Sequence, residues 1–219
     1  MDNSVILTTK DAISIAGTFR TPHNPKGWAL LIHMMPATKE SFEAYARELE
    51  KAGIASLAID LRGHGRSQGG PNGYESFLDQ DHQKSFYDLC AGIEFLRAQG
   101  ANDERLVLVG ASIGANLCLQ YMAHYPTVRC GVLLSPGADY RGILSKENAA
   151  ALTRGQAVYF ASSEDDGYNA QDVSEIESLV PDGVEKKITI FSSAGHGTTL
   201  LEKEPSLIKD TIDFIINNF

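Results

Sequence analysis

The chain has 219 residues, 43% hydrophobic and 21% charged, which excludes a disordered chain and suits one compact domain spanning residues 1–219. Its formal net charge of −9, with no clustered Lys/Arg stripe, argues against a nucleic-acid-binding surface. No apolar run approaches the length that spans a bilayer, and Met1 to Ser4 lacks the basic and apolar regions of a secretory leader. Three cysteines, Cys90, Cys118 and Cys130, fall in predicted helices or strands. The expectation is a cytoplasmic protein with reduced thiols and no membrane association.

In chain order, Val5 to Thr8 and Ile13 to Phe19 read as a β-hairpin, and Ala29 to Ile32 as the first buried strand. Phe42, Tyr45 and Leu49 recur at helical spacing and stop at Gly53; Ile54 to Ile59 is the next strand, closed by Asp60. The stretch holding Gly63, Gly65, Gly69, Gly70 and Gly73 reads as too flexible for a core element. Phe86, Leu89, Ile93 and Leu96 mark a helix, Leu106 to Val109 a buried strand, Ile113 to His124 a helix and Val132 to Ser135 a strand. Residues 136–155 break the pattern and read as a short cap-like excursion across the top of the sheet. Ala157 to Phe160, the Val173/Ile176/Leu179 helix, Lys187 to Phe191 as an edge strand, and the Ile208/Ile212/Ile215/Phe219 helix complete the chain. This alternation predicts an α/β fold with a mainly parallel central sheet, helices on both faces and the site at the carboxyl ends of the strands.

Gly110-Ala111-Ser112-Ile113-Gly114 joins a buried strand to a helix. A serine on such a turn is held in a strained conformation with its hydroxyl exposed, and the glycines two residues to either side give it room. Ser112 is therefore the candidate nucleophile, and it needs a base. Of six histidines, His196 lies in the small-residue loop Ser193-Ala194-Gly195-His196-Gly197, beyond the last strand. The base needs an anion to hold its tautomer. Glu164, Asp165 and Asp166 follow the preceding strand; Asp166, directly before Gly167, is favoured, with Asp165 as the alternative.

The order Ser112, Asp166, His196, together with Asp60-Leu61-Arg62-Gly63-His64-Gly65-Arg66-Ser67, resembles the α/β-hydrolase superfamily, in particular its serine aminopeptidase, monoacylglycerol lipase and small esterase arm. The resemblance implies an oxyanion hole after the first buried strand. In His33-Met34-Met35-Pro36 the backbone N–H of Met35 would be one donor and that of Ile113 the other, with Met34 standing where the family usually has glycine. Met34 and Met35 could also line an apolar, substrate-binding pocket.

Other chemistries fit poorly. Gly63-His64-Gly65-Arg66-Ser67-Gln68 has Gln68 where a dinucleotide fingerprint needs glycine, and neither a phosphate loop nor a His-x-x-x-His or Cys-x-x-Cys pair occurs. The expectation is a serine hydrolase of a small-molecule carboxylic ester or thioester, working through an acyl-enzyme with no metal or organic cofactor. An amidase or peptidase with the same triad, or an idle binding protein on the same fold, is the alternative. The short excursion predicts an open site.

Overall fold

The computed structural model describes residues 3–219. Ten strands form: β1 (Asn3–Thr8), β2 (Ser14–Arg20), β3 (Gly27–Ile32), β4 (Ile54–Ile59), β5 (Leu106–Ala111), β6 (Cys130–Leu134), β7 (Asp139–Tyr140), β8 (Ile143–Leu144), β9 (Ala157–Ser163) and β10 (Glu185–Phe191). Eight of them make one sheet in the order β1-β2-β4-β3-β5-β6-β9-β10, while β7 and β8 pair separately as a small antiparallel hairpin. β1 and β2 are antiparallel; from β4 to β10 every neighbouring pair is parallel.

The helices are α1 (Glu43–Lys51), α2 (Asp79–Gln83), α3 (Phe86–Ala98), α4 (Ile113–His124), α5 (Ser145–Ala150), α6 (Asn169–Ser178), α7 (Thr199–Lys203) and α8 (Ser206–Asn217). They divide between two cores because strand side chains alternate. Trp28, Leu30 and Ile32 of β3 and Leu106 and Leu108 of β5 meet α3, α4 and α6; Ala29, Leu31, Val107, Val109 and Ala111 meet α1, α7 and α8. All six residues of β3, β4 and β5 are buried, as unbroken apolar runs require. Cys118 and Cys130 are buried, Cys90 is half-buried, and all three are free thiols.

Between β5 and α4 the chain turns at Ser112, whose φ of 53° and ψ of −122° lie outside the regions ordinary residues occupy. The turn is held from both sides: Ser112 N–H donates to Leu134 C=O at 2.8 Å, and Ser112 C=O accepts from Ala115 N–H at 2.8 Å. A Cβ on Gly110 would lie 2.3 Å from Gly114 C=O oxygen, and one on Gly114 would lie 2.3 Å from Ile32 C=O oxygen. The flanking glycines thus permit a backbone-to-backbone approach, beyond giving the turn freedom.

The glycine-rich stretch departs from expectation, for it is ordered around buried polar groups. Asp60, wholly buried, accepts from Lys39 Nζ and Lys39 N–H, both at 2.8 Å, and from Arg66 N–H at 2.9 Å. A Cβ on Gly65 would strike the Asp60 carboxylate at 2.4 Å. Ser67 Oγ donates to Asp60 C=O at 2.6 Å and accepts from Ala16 N–H. Arg62 is clamped by Asp88 and Asp11. The excursion after β6 is also built in: the buried Asn116 side chain donates to Gly137 C=O and Ile143 C=O and accepts from Gly137 N–H.

His33, at the end of β3, accepts from Leu61 N–H at its Nε2 (2.9 Å), so the proton sits on Nδ1 and is donated to Met34 C=O (2.8 Å). It joins the ends of β3 and β4 as a neutral strut. Burial, and then the neighbouring His64, push its pKa down from 6.5 to about 4.

Two outcomes test this framework. Helix propensity alone would favour Gly114→Ala by about 1 kcal/mol. The contact with Ile32 should reverse that sign and cost about 1–3 kcal/mol in urea unfolding; wild-type stability would mean that β3 and α4 can part freely. Between pH 6.5 and pH 4 the unfolded chain protonates His33 while the folded chain does not. Stability contributed by the neutral strut is therefore complete above pH 6.5 and falls by about 3 kcal/mol as the pH drops to 4. Proton uptake on unfolding at pH 5 should be smaller by about one proton in His33→Gln; equal uptake would show that His33 is already charged in the fold.

Candidate active site

The ends of five neighbouring strands, β3, β5, β6, β9 and β10, supply the groups around Ser112. Ser112 is 8% exposed at the head of α4. Ile113 is the first helical residue, and the first helical bond comes from Ala115 N–H; the opening N–H groups precede the helix's own ladder. Across the turn lies the loop after β3. There Met34 packs under the histidine loop, its sulfur 2.4 Å from where a Gly197 Cβ would stand, and Met35 is half-buried against the core that contains Ile113. Both methionines make packing contacts at the rim of the site.

The acidic run beyond β9 divides its labour. Asp166 Oδ2 lies 2.6 Å from His196 Nδ1, with side-chain exposures of 18% and 33%. Asp165 points away from the imidazole. Its Oδ1 accepts from Ser163 Oγ and Gly195 N–H and its Oδ2 from Ser193 Oγ at 2.9 Å. The Ser163 hydroxyl, then the Gly195 N–H, then the Ser193 hydroxyl hold its carboxyl well below the usual carboxylate range. Adjacent acids thus take two tasks, one on the imidazole and one on its loop. Glu164 is exposed and follows the sheet, donating its N–H to Phe191 C=O.

The histidine loop is tied down a second time. Gly197 N–H donates to the buried Ser135 Oγ at 2.9 Å, and the place a Gly197 Cβ would occupy is 3.5 Å from Ala111 Cβ, the residue before Ser112. Ser135 itself has φ 50°. Among the described residues Ser112 Oγ makes no direct hydrogen bond to His196. Tyr140, from the β7–β8 hairpin, lies against the imidazole. Its hydroxyl accepts from Asn169 Nδ2 at 3.3 Å, and its ring meets that of His196 edge-on at 6.3 Å between centroids.

Sequence reasoning singled out none of Tyr140, Asn116, Ser135 and Asn169, since no spacing rule marks a residue fixed by tertiary contacts. His64 is a turn residue beside the site: it stacks on Tyr74 at 4.1 Å and meets the His33 ring tilted by 59° at 4.9 Å, and burial pushes its pKa down. Among the described residues no group of three His, Cys, Asp or Glu side chains could hold a metal ion. No described helix is long and apolar enough to cross a membrane.

The family profile described as "Serine aminopeptidase, S33" matches residues 23–178, from the connector ahead of β3 to the end of α6. A bifunctional esterase/perhydrolase of Acinetobacter calcoaceticus is 33% identical over 133 residues, which cover 59% of this chain and 43% of that protein. The chain thus spans less than half the length of that curated relative. Among solved structures, that of DcsB in complex with its substrate analogue superposes with a TM-score of 0.84 at 16% identity, covering 100% of this chain and 99% of the other. An esterase of Pyrococcus furiosus superposes with a TM-score of 0.76 at 18% identity, covering 99% and 90%. These structural likenesses speak for the fold. With a profile that covers more than half of its length and a sheet and helix arrangement of the matching kind, the chain belongs to the S33 serine aminopeptidase-like family of α/β hydrolases.

Proposed function

We propose that the protein is a serine hydrolase that cleaves a carboxylic ester or thioester through an acyl-enzyme, with Ser112 as nucleophile, His196 as general base and Asp166 as its anionic partner. One observation carries this reading. An acid from the end of β9 is bonded to a histidine beyond β10, and the histidine's loop is pinned beside a serine in a strained strand-to-helix turn.

Attack by Ser112 Oγ on the carbonyl carbon forms a C–O bond as the hydroxyl proton passes to His196 Nε2. Asp166 keeps the Nδ1–H tautomer and stabilises the imidazolium. The backbone N–H groups of Met35 and Ile113 take the oxyanion, and the proton on His196 then leaves with the alcohol or thiol. Water deacylates the enzyme by the same route, and the chemistry calls for no cofactor. Esters are favoured because the matched relative from Acinetobacter is an esterase. The family description names an aminopeptidase, so amides belong in the same screen.

Exposure to a fluorophosphonate, followed by intact-mass and peptide mapping, should give a single adduct on Ser112 and none in Ser112→Ala. A folded protein that takes up no probe would favour the idle binding-protein reading. Asp166→Asn should lower kcat on activated esters by about 10⁴-fold through the wrong imidazole tautomer. Asp165→Asn, which loosens only the loop, should cost roughly tenfold. The reverse ranking would transfer the acid role to Asp165.

A further inference from the structure

The residues that close β6 are tied to all three parts of the site. Leu134 C=O accepts from Ser112 N–H at 2.8 Å, and Ser135 N–H donates to Ala161 C=O of β9 at 2.8 Å. A trans peptide is planar, with its C=O and N–H pointing opposite ways. The one peptide between Leu134 and Ser135 therefore ties the serine turn, on one side, to the strand that leads to Asp166 on the other. The side chain adds the third tie. Ser135 is wholly buried, and its Oγ accepts from Gly197 N–H at 2.9 Å. Thr199 N–H donates to His196 C=O at 3.1 Å, so the peptide that follows His196 is held at both of its polar atoms. Ser135 also stands at φ 50°, in the left-handed region that favours glycine. Glycine would adopt that conformation without strain but could not reach Gly197. A strained serine at this point is a sign that the hydroxyl is used.

We propose that Ser135 is a positioning residue for the hydrolytic reaction, its hydroxyl setting where the His196 imidazole stands relative to Ser112 Oγ. The inference rests on the serine-hydrolase reading. Since His196 makes no direct hydrogen bond to Ser112, the imidazole takes its place from its anchors: Asp166 on the ring, Asp165 on Gly195 N–H and Ser135 on Gly197 N–H. The two acids lie beyond β9, whereas Ser135 shares a peptide with the group that holds the nucleophile's own N–H. A displacement of β6 against β5 thus moves base and nucleophile together. Ser135 touches no reacting atom and moves no proton. By fixing the plane of the peptide after His196 it restricts rotation about the His196 Cα–C bond and holds the ring beside the turn. A misplacement of about 1 Å in such a group costs on the order of 100-fold in rate.

Ser135→Gly removes the acceptor and relieves the backbone strain; Ser135→Ala removes the acceptor and keeps the strain. In both, kcat for a small activated ester and the second-order rate of fluorophosphonate labelling at Ser112 should fall by about 10- to 100-fold, with KM little changed. Labelling followed to completion counts the competent sites, so that a poorly folded fraction does not pass for a slow one. A merely structural serine would leave the rate per competent site of the glycine variant unchanged, and wild-type rates there, or a loss confined to KM, would overturn the proposal. A second readout is coupling to the base. In a His196→Ala protein, Ser135→Gly should change the residual ester turnover by less than about twofold. The full loss persisting without the imidazole would mean that Ser135 acts on the turn at Ser112 instead, and would overturn the proposal while the hydrolase reading stands. Wild-type protein that takes no label at Ser112 would overturn both.

Discussion

Helix α4 can start against the ends of β3 and β5 because Gly110 and Gly114 bring no side chain between backbone and backbone. That approach forces the turn at Ser112 into its positive φ, a conformation that costs on the order of 1–3 kcal/mol and persists only where the surroundings over-determine it. Here the ladder bond to Leu134 holds one side and the first bonds of the helix hold the other. Every other group of the site is placed relative to this turn. The histidine loop rests on Ala111, the hairpin is tied to the same helix by Asn116, and the loop after β3 lies where Gly114 meets Ile32.

Around that turn the protein uses buried polar groups as struts. Asp60 binds the segment after β3 to the segment after β4; Arg62, Asp88 and Asp11 bind the same segment to α3 and the first hairpin. Burial pushes the Asp88 carboxyl up to about 6, against the pull of the Arg62 guanidinium. Such pairs add little net stability compared with apolar packing, but the loss of either partner strands a buried charge, and this makes the arrangement all-or-none. The Asp-x-Arg-Gly-His-Gly-x-Ser stretch is accordingly a brace for the loop that carries Met35. His64, the one residue in it with an obvious chemical look, is spent on stacking.

The parts of the fold legible in the sequence are those that local pattern dictates. Unbroken apolar runs at β3, β4 and β5 announce strands buried on both faces, and the glycines about Ser112 announce the turn. The exchange of β3 and β4 in the sheet leaves no trace in local pattern, because it concerns which strand lies beside which. His196 is visible as a histidine among small residues at a strand end. Asp165 and Asp166 differ by one position and by nothing in composition; only the fold shows which carboxylate faces the imidazole and which faces the loop N–H groups. Ser135 and Asn169 act across 62 and 33 residues of chain, on Gly197 and on Pro136, and Tyr140 meets Asn169 and His196. No spacing rule reaches such contacts. The glycine-rich stretch is the converse case, where composition suggests mobility and buried charges impose order.

The order of the strands also bears on how the molecule comes into being. From β3 to β10 the groups gathered at the site follow one another across the sheet as they do along the chain, at Met35, Ser112, Tyr140, Asp166 and His196. Each parallel neighbour is reached only through a crossover, so loop-closure entropy is paid before most of the pairings are made. A nascent chain that has emerged through α4 carries the serine turn but neither Asp166 nor His196. The last strand and the loop beyond it complete the set, and until they dock the strained turn stands without the Asp166–His196 pair. On the proposed reading, hydrolytic capacity is thus withheld from partly folded chains by topology alone.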